Sequence, residues 1–102
     1  MSMDNIKSAE RTIQISDDVL RQVAAISAKD VIDVAGLAEE TPVRIINLGG
    51  AISVEIRILV KSGSRAAAAA QRVQRKVKQS IQDMTGVTAV HVHVEISGMM
   101  ED

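Results

Sequence analysis

The 102-residue sequence contains no cysteine, no phenylalanine, tyrosine or tryptophan, and a single proline. Without cysteine, the chain excludes disulfides, thiolate zinc sites and cysteine nucleophiles. Without aromatic residues, the core must be built from Ile, Val, Leu, Ala and Met, and no side chain can stack on a nucleic-acid base. The formal net charge of −1 provides no general attraction to nucleic acid or to acidic lipid.

The sequence also lacks an apolar run of membrane-spanning length, and residues 1–11 lack the apolar segment of a signal peptide. We therefore expect a cytoplasmic protein, for which any membrane contact must be peripheral or through a partner. The length and the ordinary globular composition predict one domain over residues 11–98. Residues 1–10 and 99–102 are predicted to be terminal tails.

Residues 63–96 organise the chain, since they predict one long helix followed by one strongly alternating strand. Apolar side chains recur at helical spacing (Ala66, Ala70, Val73, Val77, Ile81 and Met84). Ser64 is the expected N-cap, and Gly86 suits a left-handed C-cap. The following strand, over residues 87–96, places Val90, Val92, Val94 and Ile96 on one face and Ala89, His91, His93 and Glu95 on the other.

The remaining elements lie before this stretch. We predict strands over residues 12–15, 31–37, 43–48 and 51–60, and a helix that begins after Ser16. Strands 43–48 and 51–60 form an antiparallel hairpin, and the βαβ unit makes strand 87–96 parallel to strand 51–60. The order β-α-β-β-β-α-β predicts a two-layer α+β fold with both helices packed on one face of a mixed sheet.

The polar face of the predicted sheet is the first candidate site. Glu55, Arg57, His91, His93 and Glu95 are expected there, and their alternating charges suit an interaction face. His91 and His93 are also candidate metal ligands, although a pair of histidines on a solvated sheet face is a weak metal signal. The edge strands at residues 12–15 or 43–48 could pair between subunits.

A basic ridge on the long helix is the second candidate. The helix carries five basic residues and one acid, a net charge of +4 (five minus one), and Arg72, Arg75 and Lys76 could contact phosphates. This predicts a small nucleic-acid-binding module as the alternative function. A solvated basic face is favoured, because the chain lacks stacking aromatics and a G-x-x-G clamp.

Catalysis is not indicated, since the serines lie at turns and caps and no G-x-S-x-G elbow is present. The only adjacent carboxylates are Asp17/Asp18 at a helix start and Glu39/Glu40 in a loop. We predict a protein that is not an enzyme and that requires no cofactor.

Several segments resemble the alkaline shock protein family of bacterial envelope stress response proteins. They are T-I-Q-I-S-D-D-V-L-R-Q-V-A-A-I-S-A-K-D-V at 12–31, D-V-A-G-L at 33–37, V-E-I-R-I-L-V-K-S-G at 54–63, V-Q-R-K-V-K-Q-S-I-Q-D-M-T-G-V at 73–87 and V-H-V-E-I-S-G at 92–98. The likeness covers residues 12–98. The resemblance implies a non-enzymatic protein of envelope homeostasis that self-associates and reaches the membrane through a membrane-embedded partner. The family has no established catalytic residues, so the resemblance implies none in this chain.

Overall fold

The computed structural model describes residues 15–101 as an α+β fold. The elements are α1 (Asp17–Lys29), β1 (Val34–Leu37), β2 (Val43–Asn47), β3 (Ala51–Lys61), α2 (Ala66–Thr85) and β4 (Ala89–Met100). The predicted fold class is therefore confirmed. Three of the four residues in the predicted strand 12–15 lie outside the described residues, as does the beginning of the predicted domain at residue 11. Ile15 is described, and it is not part of a strand.

Strand β3 is the centre of a mixed sheet. β4 pairs with it in parallel along its whole length, from Ala51 opposite Ala89 to Lys61 opposite Met100. β1 and β2 are both antiparallel to β3, and because β4 occupies one edge, they share the other. β2 pairs with the first half of β3 and β1 with its end. The predicted hairpin and the parallel β3–β4 pair are confirmed.

Both helices pack on one face of this sheet. The side chains of β3 that face the helices are at most 2% exposed: Ile52, Val54, Ile56, Ile58 and Val60. α2 contributes Ala69, Val73, Val77 and Ile81, each 0% exposed. The two-residue period of β3 and the helical period of α2 produce this apolar layer. Within it Ala69 is fully buried, whereas the predicted stripe residues Ala66 and Ala70 are only partly buried. Met84, placed on the predicted stripe, is instead 40% exposed at the end of α2.

The helix ends follow the sequence signals in part. Ser16 caps α1, and its Oγ accepts a hydrogen bond from the Val19 N–H at 3.2 Å. Gly86 ends α2 with a φ of 74°, as predicted for a left-handed cap. Ser64 is not the N-cap of α2, because its backbone N–H closes a turn onto the Lys61 carbonyl and the helix begins one residue later, after Arg65.

Strand β4 is longer than the sequence predicts. The sequence predicts that the strand ends at Ile96 and that residues 99–102 form a tail, but β4 extends to Met100. The extension is possible because the pairing skips one residue at Ser97, so that Ile58 lies opposite Ile96 and Leu59 opposite Gly98. The Ser62 N–H then donates to the Met100 carbonyl at 2.8 Å.

Candidate interaction surfaces

The sheet face opposite the helices carries the five residues of the predicted interaction face. β3 contributes Glu55 and Arg57, and β4 contributes His91, His93 and Glu95. The parallel register sets Glu55 beside His93 and Arg57 beside Glu95. No helix within residues 15–101 covers this face, and we call it the open face.

Cross-strand ion pairs order the charges of the open face. Arg57 Nε lies 3.3 Å from Glu95 Oε1, and Arg44 Nη1 lies 3.5 Å from Glu55 Oε1. Arg57 also donates from Nη1 to the Glu40 carbonyl at 3.3 Å, which ties the 38–42 loop to the sheet. Exposed pairs of this kind stabilise a fold by only about 0–1 kcal/mol each. Their main consequence is a fixed pattern of charge rather than stability.

The histidine pair has no surrounding set of metal ligands within residues 15–101. His91 and His93 are both exposed and lie on the same face, as the strand alternation predicts. Across residues 15–101 no group of three or more His, Asp or Glu side chains is arranged to hold a metal ion. Glu55 and Glu95, the nearest carboxylates by register, are each paired with an arginine. His91 and His93 therefore remain weak metal candidates.

The basic ridge is partly neutralised by the connection between α1 and β1. Arg72 forms an ion pair with Asp33, and Lys76 Nζ lies 2.7 Å from Asp30 Oδ2. The hydrogen bond and the charge of Lys76 lower the pKa of the Asp30 carboxyl. Arg75 is exposed, and no acid of residues 15–101 forms an ion pair with it. Two of the three predicted phosphate-binding cations are thus held by acids of the same chain.

The same contacts show that the helices run antiparallel. The Ser27 hydroxyl in α1 donates to the Ser80 hydroxyl in α2 at 2.7 Å. The acids that follow α1 in the chain contact residues of α2 that precede Ser80. An open groove of about 670 Å³ follows this junction, lined by both apolar and charged side chains, including Ile32 and Arg75. Ile32 is 77% exposed beside the groove. Sequence patterns do not indicate this groove, because it depends on the packing of the two helices.

The outer edge of β4 is a further surface that sequence patterns do not indicate. Among the described residues, β4 pairs only with β3, so its other edge carries free backbone groups. Gln74 from α2 donates from Nε2 to the Val92 carbonyl at 2.8 Å, and Gln82 donates in the same way to the Thr88 carbonyl at 2.9 Å. These glutamines satisfy part of the edge near the beginning of β4. Neither helix in residues 15–101 is long and apolar enough to cross a membrane.

Comparisons with solved structures show the same fold. The copper form of the MamM CTD matches with a TM-score of 0.60 and 20% identity, over 78% of this chain and 85% of that chain. A nickel form of a MamM CTD variant matches with a TM-score of 0.55 and 16% identity, over 79% and 96%. A MamM CTD fragment gives a TM-score of 0.54 and 17% identity, over 79% and 99%. At these identities the likeness shows the fold alone.

The sequence comparison is more specific. No curated protein matches the chain. A family model described as having a cell envelope-related function matches residues 42–101, more than half of the 102 residues. This match spans the hairpin, α2 and β4, which carry the open face, and it confirms the resemblance seen in the sequence. The chain belongs to the alkaline shock protein 23 family, whose function is cell envelope-related.

Proposed function

We propose that this protein is a non-enzymatic scaffold or adaptor of cell-envelope homeostasis, which self-associates and docks to a membrane-bound partner from the cytoplasmic side. The open face carries this proposal. A sheet covered on one side only presents a broad polar surface, and here that surface holds two ordered ion pairs. Alternating charges across neighbouring strands favour one register of association over loose aggregation.

The charges of this face support recognition rather than chemistry. Glu55 and Glu95 each accept from an arginine, and the depression between them has a volume of only about 60 Å³. A space of that size is far below the roughly 300–1,000 Å³ of a small-molecule site. A flat, charged surface of this kind suits a protein partner or a second copy of the chain.

Self-association is tested by sedimentation velocity of the full chain over a wide concentration range. Interference optics are required, because the chain contains no Trp or Tyr. We expect reversible growth from monomer to larger species. A monomer at every concentration would contradict the scaffold proposal.

Docking to a partner is tested separately, by co-sedimentation with membranes. We expect the chain to bind vesicles prepared from cell membranes and to lose this binding when the membranes are first treated with protease. Protein-free vesicles of the same lipids serve as the control. Equal binding to the protein-free vesicles would show direct lipid contact and would contradict a membrane-protein partner.

The alternative, a nucleic-acid-binding module, receives less support from the structure. Arg72 and Lys76 would have to leave Asp33 and Asp30 before they could contact phosphates. Its test is a binding titration with single-stranded and duplex RNA at increasing salt. Affinity that falls steeply with salt, and that is lost when Arg72, Arg75 and Lys76 are neutralised, would favour this alternative.

A further inference from the structure

We propose that the outer edge of β4 is the self-association site, and that it pairs in antiparallel orientation with β4 of a second copy, centred on Val94. This inference rests on the proposed self-association and specifies the surface that performs it. The sequence predicts intermolecular pairing at the edge strands 12–15 or 43–48. β4 is a longer edge, since it spans Ala89–Met100, and no other strand of residues 15–101 covers its outer side.

The direction of the backbone groups along β4 follows from two observed bonds. The Val92 carbonyl accepts from Gln74, and the Val90 N–H donates to the Thr88 carbonyl, so these groups are directed away from β3. Successive residues of a strand direct their N–H and C=O groups to opposite sides. Val94 and Ile96 therefore also present their backbone groups to the free edge. No helix side chain of residues 15–101 bonds them as Gln74 bonds Val92.

The charges on the open face select the register. When two copies pair around Val94, His93 lies opposite Glu95 of the second copy on both sides of the axis, and each imidazole N–H can donate to a carboxylate. A pairing centred on Glu95 would place two carboxylates opposite each other, which is unfavourable. A pairing centred on His93 would need the Val92 carbonyls in both of its innermost hydrogen-bonded pairs, and Gln74 occupies these carbonyls. The Val94-centred register needs them only in its outer pairs, where Val92 lies opposite Ile96, because its innermost pair uses the Val94 groups alone.

The helix layer also fits this arrangement. α2 runs opposite to β4, since Gln82 bonds at Thr88 and Gln74 bonds at Val92. A strand rises about 3.3 Å per residue, so Val94 lies about 7 Å along β4 from Val92, where Gln74 bonds. A helix rises about 1.5 Å per residue, so the part of α2 over Val94 lies about four residues before Gln74. That position falls in the alanine run at residues 66–70. Small side chains at the axis allow the two α2 helices to approach closely.

The apolar side of the edge is suited to burial by a second copy. Val94 and Ile96 are only partly buried against the core, although their neighbours Val90 and Val92 are 2% and 7% exposed. In the Val94-centred pair, Val94 meets Val94 of the other copy, and Ile96 meets Val92. Pairing thus covers apolar area that a single copy leaves accessible.

The experiment substitutes proline on the two edges of the sheet and measures association of the full chain by sedimentation velocity. Val94→Pro removes an outward N–H while leaving the β3–β4 bonds intact. Ile45→Pro is the matched control, because Ile45 is also partly buried and lies on the opposite edge. The Leu48 N–H donates to the Ala51 carbonyl and the Arg57 N–H donates to the Pro42 carbonyl, so even-numbered residues on the β2 side of the hairpin direct their backbone groups toward β3. The odd-numbered Ile45 therefore directs its N–H away from β3.

We expect Val94→Pro to weaken association on the order of 30-fold, through loss of two central hydrogen bonds, and Ile45→Pro to leave it unchanged. Gln74→Ala should strengthen association, because it frees the Val92 carbonyl. If the wild-type chain associates and Val94→Pro has no larger effect than Ile45→Pro, the β4 site is wrong while the scaffold proposal stands. If the wild-type chain never associates, both are wrong.

A cross-linking measurement keeps the inference testable where a proline variant fails to fold. The chain contains no cysteine, so one introduced thiol reports one contact. Directly opposite hydrogen-bonded residues have Cα atoms about 5.5 Å apart, within the range of a disulfide. Oxidation of Val94→Cys should give a covalent dimer, and Ile45→Cys should remain monomeric. The reverse result would overturn the β4 site.

Discussion

Reversing the charge of Arg57 separates the contribution of the open face to association from its contribution to stability. The Arg57–Glu95 pair is about half exposed on both sides, at 45% and 55%. Losing it costs about 0–1 kcal/mol, and repulsion between the introduced carboxylate and Glu95 adds about 1 kcal/mol at roughly 4 Å in water. Arg57→Glu should therefore lower the free energy of unfolding by about 1–2 kcal/mol, against a typical total of about 5–15 kcal/mol.

The variant thus remains folded, and its association can be measured directly. We expect sedimentation velocity to show weaker association of Arg57→Glu than of the wild-type chain, with a smaller difference at high salt because the charges are screened. Lys76→Glu is the matched control, since it makes the same charge change and breaks an exposed ion pair on the helical side. Circular dichroism during denaturant unfolding verifies that both variants are folded. Unchanged association of Arg57→Glu, or an equal loss in Lys76→Glu, would refute the role of the open face.

Three further predictions concern the packing of the helices. Ile81→Ala, at a fully buried position, should lower the free energy of unfolding by about 2–5 kcal/mol in denaturant titrations, and a loss below about 1 kcal/mol would contradict the core assignment. Ser27→Ala should lower the free energy of unfolding by about 0.5–1.5 kcal/mol by removing the hydrogen bond to the Ser80 hydroxyl, and adding Ser80→Ala should cost little more because that bond is already lost. Lys76→Met should raise the pKa of Asp30 in an NMR titration. Because Lys76 lowers the pKa of Asp30 in the folded state, the pair stabilises the fold above the unfolded pKa, and this stabilisation is lost as the pH falls through the folded pKa. The variant should lack this acid-dependent component, and an unchanged Asp30 titration would show that the pair does not persist in solution.

Much of the open face could be predicted from the sequence, because a strand has a period of two residues. That period alone places His91, His93 and Glu95 on one side of β4 and sets the β3 residues Glu55 and Arg57 on one side of their strand. The parallel β3–β4 pair follows from the βαβ order. These inferences need only local alternation and short connections.

The charge partners could not be predicted in the same way. Arg72 meets Asp33, and Lys76 meets Asp30, only because α2 lies antiparallel to α1 and beside the connection that follows it. Helical periodicity shows which side of α2 carries the cations but not which acids approach them. From the sequence, all three cations of the basic ridge are therefore expected to be available to a ligand, whereas in the structure Arg72 and Lys76 form ion pairs with acids of the same chain.

Residue types and their local spacing are sufficient to predict the composition of the core and the two faces of β3 and β4, and the five sequence segments are sufficient to indicate the family. Three features could not be predicted in this way: which edge of the sheet stays uncovered within residues 15–101, how far β4 continues beyond Ile96, and which carbonyls at the beginning of β4 accept from the α2 glutamines. Those features depend on how segments distant in the chain pack together. Edge exposure is a property of the whole sheet, and a one-residue slip at Ser97 is set by pairing with β3.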